Sequence, residues 1–283
     1  MFVPRRIVEE KLKAALEEDI GQGDVTAAAI IPAGLKVKAE VIAKEDGVVA
    51  GIEEATILAE YLGLKVEAQA ADGEKIKNKQ VLMKIEGDAQ TILSAERTLL
   101  NLLSRMSGIA TQTRTLTEVI KKNKSKTKIA ATRKTAPGLN FFDKKAIALG
   151  GGDPHRLHLD DMILIKDNHL AIVGGVEEAV KKAKSNASFS KKIEVEVTSS
   201  EDAVVAARAG ADIVMLDNFS PKQAKEAAAK LHKAGYYKVL IEVSGGVTAQ
   251  NLAEYAAADV DVISIGALTH SVKALDISLE IVK

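Results

Sequence analysis

The chain has 283 residues, 47% of them hydrophobic, with 39 basic residues balancing 39 acidic ones. That length can bury a large core, in one big α/β domain or two smaller ones, and the absence of cysteine excludes disulfides, thiolate metal sites and thiol nucleophiles. Zero net charge and 3% aromatic content give neither the electrostatic footprint nor the stacking platforms of a nucleic-acid binder, and no run approaches the ~20 apolar residues of a membrane span.

Residues 1–19 carry Arg5, Arg6, Glu9, Glu10, Lys11 and Lys13 and so lack the apolar stretch of a secretory signal; a soluble, cytoplasmic protein is expected. Ile7, Val8, Leu12, Ala15 and Leu16 recur at helical spacing, predicting an amphipathic helix that ends before Gly21. Three β-like runs follow. Val37, Ala39 and Val41 alternate with Lys38 and Glu40, Leu64, Val66 and Ala68 alternate with Lys65 and Glu67, and residues 81–85 lie between turn signals. Alternation of this kind predicts sheets with one face in water. Lys84 sits inside its apolar run, which favours a structural strand over a lysine displayed for biotinyl or lipoyl attachment. Residues 91–122 read as helix with a break near Gly108, and a domain boundary is placed there, dividing 1–108 from 109–267.

Beyond the boundary, nearly continuous apolar runs at 128–132, 162–166, 193–197, 212–217, 238–243 and 260–266 alternate with helical segments at 176–185, 201–209, 221–233 and 248–257. This grammar predicts a parallel sheet with crossover helices, either closed as a barrel or open and doubly wound. Every run ends in something polar or glycine-rich, as barrels require where chemistry gathers at the C-terminal strand ends, so an incomplete barrel of about six strands is favoured. A terminal helix over 268–283 is expected to return to the first domain.

Those strand ends carry the candidate site. Ser244-Gly245-Gly246 and Gly266 suit a phosphate cradle, because backbone N–H groups close on phosphate only where no side chain intervenes; either glycine site alone would be read as a chain turn. Arg133, Lys134, His155, Arg156 and Lys166 are cationic or potentially so, and like charges gathered in a cleft await an anion. Glu196 and Asp217 close adjacent strands and suit either Mg²⁺ or sugar hydroxyls. His155 and His158 have the spacing of a metal pair but no matching third ligand.

The run Ala131-Thr132-Arg133-Lys134-Thr135-Ala136-Pro137-Gly138, with His155-Arg156 and Ile165-Lys166-Asp167-Asn168-His169, resembles the quinolinate phosphoribosyltransferases, also called nicotinate-nucleotide pyrophosphorylases. The resemblance extends over Asp19-Ile20-Gly21, Gly23-Asp24-Val25-Thr26, Glu96-Arg97-Thr98, Leu100-Asn101, Ser107 to Thr111 and Gly150-Gly151, with small departures at Ala136 and Asp153-Pro154. It implies an N-terminal open α/β sandwich with an incomplete α/β barrel, in a homodimer with shared active sites or a hexamer of such dimers, with Arg97 lent to the partner's site. It further implies that Arg133, His155, Arg156 and Lys166 hold the two carboxylates of quinolinate. Lys134, Glu196 and Asp217 would meet the pyrophosphate, ribose hydroxyls and Mg²⁺ of phosphoribosyl pyrophosphate, and Ser244, Gly245, Gly246, Gly266 and His270 its 5′-phosphate. Lys134, Lys166, Glu196 and Asp217 become the candidate catalytic residues. Three rival readings remain: the same fold acting on nicotinate or another acceptor, a barrel lyase using Lys166 as a Schiff-base amine, and a non-catalytic phosphate-binding protein that would bind ligand without releasing pyrophosphate.

Overall fold

The computed structural model describes residues 3–282. In chain order its elements are α1 (Arg5–Ile20), α2 (Val25–Ile30), β1 (Lys36–Ala43), β2 (Gly47–Val48), α3 (Ile52–Tyr61), β3 (Lys65–Ala68), β4 (Lys75–Ile76), β5 (Val81–Asp88), α4 (Ala89–Lys122), β6 (Lys128–Ala130) and α5 (Asn140–Gly150). They continue with β7 (Ile163–Ile165), α6 (Asp167–Val173), α7 (Val176–Asn186), β8 (Ile193–Val197), α8 (Ser200–Ala209), β9 (Ile213–Asp217), α9 (Pro221–Lys233), β10 (Leu240–Ser244), α10 (Leu252–Ala256), β11 (Val262–Ser264), α11 (Ala267–His270) and β12 (Ile277–Val282). The chain divides into two compact units. One holds residues 1–114, 136–151 and 271–283, the other 115–135 and 152–270.

The first unit is built on an antiparallel sheet ordered β12-β1-β5-β3. Ala39, Val41 and Ala43 of β1 and Met83 and Ile85 of β5 are buried toward the helices, while Lys38, Glu40, Lys84 and Glu86 form a charged outer face. This one-sided burial is the open sandwich that the strand alternation implies. Three expectations change here. The terminal segment is not a helix over 268–283: only α11 is helical, and β12 pairs with β1 through a register running from Lys38↔Val282 to Ala43↔Ile277. Ile277, Leu279 and Ile281 alternate with polar residues, the two-residue period of a strand. Nor does the helix break at Gly108, since α4 is continuous. A Cβ at Gly108 would lie 2.1 Å from the carbonyl oxygen of Lys273, so this glycine admits a crossing backbone instead of ending a helix.

The third change concerns residues 136–151, which lie inside the sequence interval assigned to the barrel but belong to the first unit. Buried charge explains it. Arg105 of α4 donates twice to Asp143 of α5, both at 2.8 Å, and Lys145 Nζ lies 2.5, 2.7 and 3.6 Å from carboxylate oxygens of Glu53, Glu54 and Asp72. Asp72 also accepts from the amides of Gly51 and Ile52 at the start of α3, at 2.7 and 2.9 Å.

The second unit holds six parallel strands ordered β6-β11-β10-β9-β8-β7. This is chain order taken cyclically, with β6 brought round to pair β11, whereas a doubly wound sheet would reverse its order at a switch point. The barrel is incomplete because β6 and β7 do not pair. Only an isolated bridge from Ala130 to Asp153 continues the sheet beyond β6, carrying the chain toward His155.

Candidate active site

A cavity of about 440 Å³ opens at the C-terminal ends of the barrel strands. Its wall includes Arg133, Lys134, Arg156 and Lys166 together with Glu196, Asp217 and Ser244, so strand ends far apart in sequence converge on one space. Strand register explains which groups meet. Ile165 pairs with Val195, which sets Lys166 beside Glu196, and Lys166 Nζ lies 3.1 Å from Glu196 Oε1. The Lys166 amide donates to His169 Nδ1 at 2.9 Å, so the Lys-Asp-Asn-His run is the turn that starts α6. The Lys166 side chain is 45% exposed and already ion-paired, unlike the desolvated amine that Schiff-base chemistry requires.

One inward step further along the barrel, Ser244 of β10 stands opposite both Asp217 of β9 and Ser264 of β11. Gly245 and Gly246 follow with φ of 88° and 67°, a backbone region that favours glycine. A Cβ at Gly245 would meet Asn218 Oδ1 at 2.2 Å, so this glycine serves the approach of Asn218 as well as the backbone amides. Asn218 Nδ2 in turn donates to Asp217 Oδ2 at 2.9 Å. The loop after Gly246 is tied by Asn251, whose side chain accepts from the Thr248 amide and donates to the Gly246 carbonyl. Gly266 is bounded by the His270 ring and the Lys134 side chain, which would lie 3.1 and 3.4 Å from a Cβ placed there, and Thr269 Oγ1 donates to the Lys134 carbonyl at 2.9 Å. Lys134, Gly266 and His270 thus adjoin, although only Lys134 is among the residues lining the cavity.

Beneath the strand ends lie two carboxylates the sequence reading did not single out, of which Glu242 lines the cavity and Glu194 does not. Glu194 and Glu242 are carboxylates in the middle of buried strands, 0% and 1% exposed. His155 Nε2 lies 3.1 Å from Glu242 Oε2 and 3.7 Å from Glu194 Oε2, and Ser264 Oγ donates to Glu242 Oε1 at 2.5 Å. Neither Glu194 oxygen has a hydrogen-bond partner. Burial first, and the neighbouring Glu242 charge second, push the Glu194 carboxyl up to about 8. Arg156 is buried beside this pair, and burial pulls its guanidinium downward against the opposing pull of Glu194. The signal that identifies these residues is a carboxylate flanked by β-branched apolar residues inside a strand, Ile-Glu-Val-Glu-Val and Leu-Ile-Glu-Val-Ser.

Arg97 lies on α4 in the first unit, with a 64% exposed side chain 4.0 Å from Glu96, and is not among the residues lining the cavity. His158 is exposed and does not join His155 in a metal pair; its amide donates to Asp161. Glu196 and Asp217 are partly exposed carboxylates at neighbouring strand ends, a donor set suited to Mg²⁺ carried mostly by substrate phosphates.

Comparison with known proteins places this geometry. The chain matches the N-terminal domain of quinolinate phosphoribosyl transferase over residues 24–107 and the C-terminal domain over 109–280. It is 45% identical to the probable carboxylating nicotinate-nucleotide pyrophosphorylase of Methanothermobacter thermautotrophicus, over 97% of this chain and 98% of that protein. It is 48% identical to the corresponding probable enzyme of Methanocaldococcus jannaschii, over 96% of each. Among solved structures, nicotinate-nucleotide pyrophosphorylase from Francisella tularensis superposes with a TM-score of 0.90 at 37% identity, covering 99% of this chain and 98% of that one.

Proposed function

The chain belongs to the quinolinate phosphoribosyltransferase family, and we propose that its barrel cavity carries that family's reaction through the residues described above. The enzyme transfers the phosphoribosyl group of phosphoribosyl pyrophosphate to quinolinate with decarboxylation, giving nicotinate mononucleotide, pyrophosphate and CO₂ in NAD biosynthesis. The observation that carries the assignment of residues is the convergence of Arg133, Lys134, Arg156 and Lys166 on one cavity whose other groups are Glu196, Asp217, Ser244 and Gly245.

Arg133, Arg156 and Lys166 grip the two carboxylates of quinolinate, because forked guanidinium groups and an ammonium match a dianion that a single cation could not orient. His155, which also lines the cavity, belongs to the same carboxylate-binding set. Lys134 meets the pyrophosphate as it leaves, while Ser244, Gly245, Gly246, Gly266 and His270 surround the 5′-phosphate. Glu196 and Asp217 face the ribose, where negative charge stabilises the oxocarbenium-like centre formed as the C1–oxygen bond breaks. Attack by the pyridine nitrogen makes a pyridinium ring, which accommodates the electron pair left when the adjacent carboxylate departs as CO₂. Glu196 and Asp217 would also hold Mg²⁺, which when bound neutralises pyrophosphate charge.

Arg97 completes the site of the partner subunit in a homodimer, a reading that its exposed side chain supports. Mixing Arg97→Ala with Lys166→Ala protein, each inactive alone, restores about a quarter of wild-type activity once subunits exchange at random; no recovery would remove the shared site. The enzyme is placed in the cytoplasm on its lack of cysteine, and no helix among the described residues is long and apolar enough to cross a membrane.

Pyrophosphate release with phosphoribosyl pyrophosphate and Mg²⁺, measured with quinolinate and with nicotinate, tests the acceptor. Release with CO₂ from quinolinate alone is expected. Release with nicotinate would keep the fold and change the substrate.

A further inference from the structure

Two contacts fix the state of the His155 ring. The Arg156 amide donates to His155 Nδ1 at 2.7 Å, so Nδ1 carries a lone pair and the proton resides on Nε2. Nε2 then donates to Glu242 Oε2 at 3.1 Å, and the other Glu242 oxygen is held by Ser264. Both ring nitrogens are therefore engaged by the protein. A second proton, on Nδ1, would oppose the Arg156 N–H. The backbone is committed too: His155 has φ of 55°, and its amide donates to Asp153 Oδ1 at 2.8 Å. His155 lines the cavity, and apart from any contact with substrate it is bonded to the backbone of Arg156.

We propose that Glu242, braced by Ser264, is a positioning residue for the acceptor: it holds His155 in its Nε2–H form, and His155 in turn sets the backbone from which Arg156 reaches a carboxylate of the substrate. Glu242 acts through two intermediaries and touches no reacting atom. The orienting of an imidazole by a buried carboxylate is an economical way to fix an arginine that must remain rigid before its anionic ligand arrives. This inference rests on the proposed placement of quinolinate at Arg156.

The test uses the full-length chain with Glu242→Gln, His155→Gln, the double variant and the milder Ser264→Ala, each checked for a native melting transition. Nitrogen-15 imidazole NMR of wild type is expected to show Nε2 protonated and Nδ1 unprotonated for His155, with mixed tautomers in Glu242→Gln. The KM for quinolinate should rise about 10- to 100-fold in Glu242→Gln, and less in Ser264→Ala, while the KM for phosphoribosyl pyrophosphate stays constant. The double variant should be no worse than His155→Gln alone, because both changes break one chain of contacts. A protonated Nδ1 in wild type, an equal rise in both KM values, or additive effects in the double variant would overturn the proposal. If wild type turns over nicotinate instead of quinolinate, the functional reading fails, and the NMR tautomer still judges the role of Glu242. Should Glu242→Gln fail to fold, Ser264→Ala carries the same kinetic and NMR readouts.

Discussion

Each unit buries a knot of charge, and the two knots are built on opposite terms. In the first unit the Lys145 ammonium sits among Glu53, Glu54 and Asp72, and one cation contacts all three carboxylates. Burial alone would pull Lys145 down, but its bonds to Glu53 and Glu54 outweigh that and its affinity for the proton rises. In the barrel, Glu194 and Glu242 lie together with the His155 ring and the buried Arg156 guanidinium nearby, and neither side-chain oxygen of Glu194 has a hydrogen-bond partner. The first knot is closed around its cation and tethers α5 to its unit, although Glu54 Oε2 also lacks a hydrogen-bond partner. The second has no ammonium at its centre and is left open, with Glu242 lining the ligand cavity, so an excess of buried carboxylate marks the region where structure yields to function.

Removing the cation from the closed knot should break it most severely. Lys145→Met leaves Glu54 buried, and Asp72 half-buried, without a counter-charge and is expected to cost about 3 to 5 kcal/mol in chemical denaturation. Its kcat/KM should be unchanged below the melting transition, since Lys145 does not line the cavity. The open knot should behave in the reverse way: Arg156→Ala lowers kcat/KM for quinolinate by about 30- to 1000-fold, the loss expected when one partner of a desolvated charge pair is truncated, with little change in melting temperature. A large melting-temperature loss for Arg156→Ala would make the barrel cluster structural as well.

The smallest effect is a pH dependence. Because the folded Glu194 carboxyl is pushed from 4.5 up to about 8, the native state keeps a proton that the unfolded chain has released. The stability contributed is full below the unfolded value and is lost as pH rises through the folded one. Glu194→Gln, which cannot ionise, should melt close to wild type near pH ~5 and at a higher temperature near pH ~9. Parallel melting curves across that range would show that Glu194 stays ionised throughout.

The contrast between the knots also explains what was legible in the sequence. Lys166, Glu196, Asp217 and Ser244 could be read because they end apolar strands, and barrels place their chemistry there. Glu194 and Glu242 sit within strands of the same sheet, where a carboxylate between isoleucine and valine resembles the solvent-facing position of an ordinary alternating strand. Only closure of the sheet into a barrel turns that face inward. Gly108 misled for a related reason. A glycine in a helix costs about 1 kcal/mol relative to alanine, which suggests a break, but the close passage of residues 273 and 274 gives it a packing role that outweighs propensity. The strand period of residues 277–282 was visible, yet its partner β1 lies at the other end of the chain, and local pattern cannot supply a partner.

That distant partnership bears on how the protein is made. Lys44 and Glu280, ion-paired where β1 meets β12, are separated by 236 positions in the sequence. During synthesis β5 can pair with one edge of β1 early, but the other edge waits until β12 leaves the ribosome, after the whole barrel has emerged. An unpaired edge of that kind is a template for joining another chain. The nascent protein therefore passes through a long interval in which its first sheet is open to intermolecular pairing. Lys36, Lys38 and Glu40 place charge along β1, the kind of residue that discourages such encounters while its proper neighbour is still being translated.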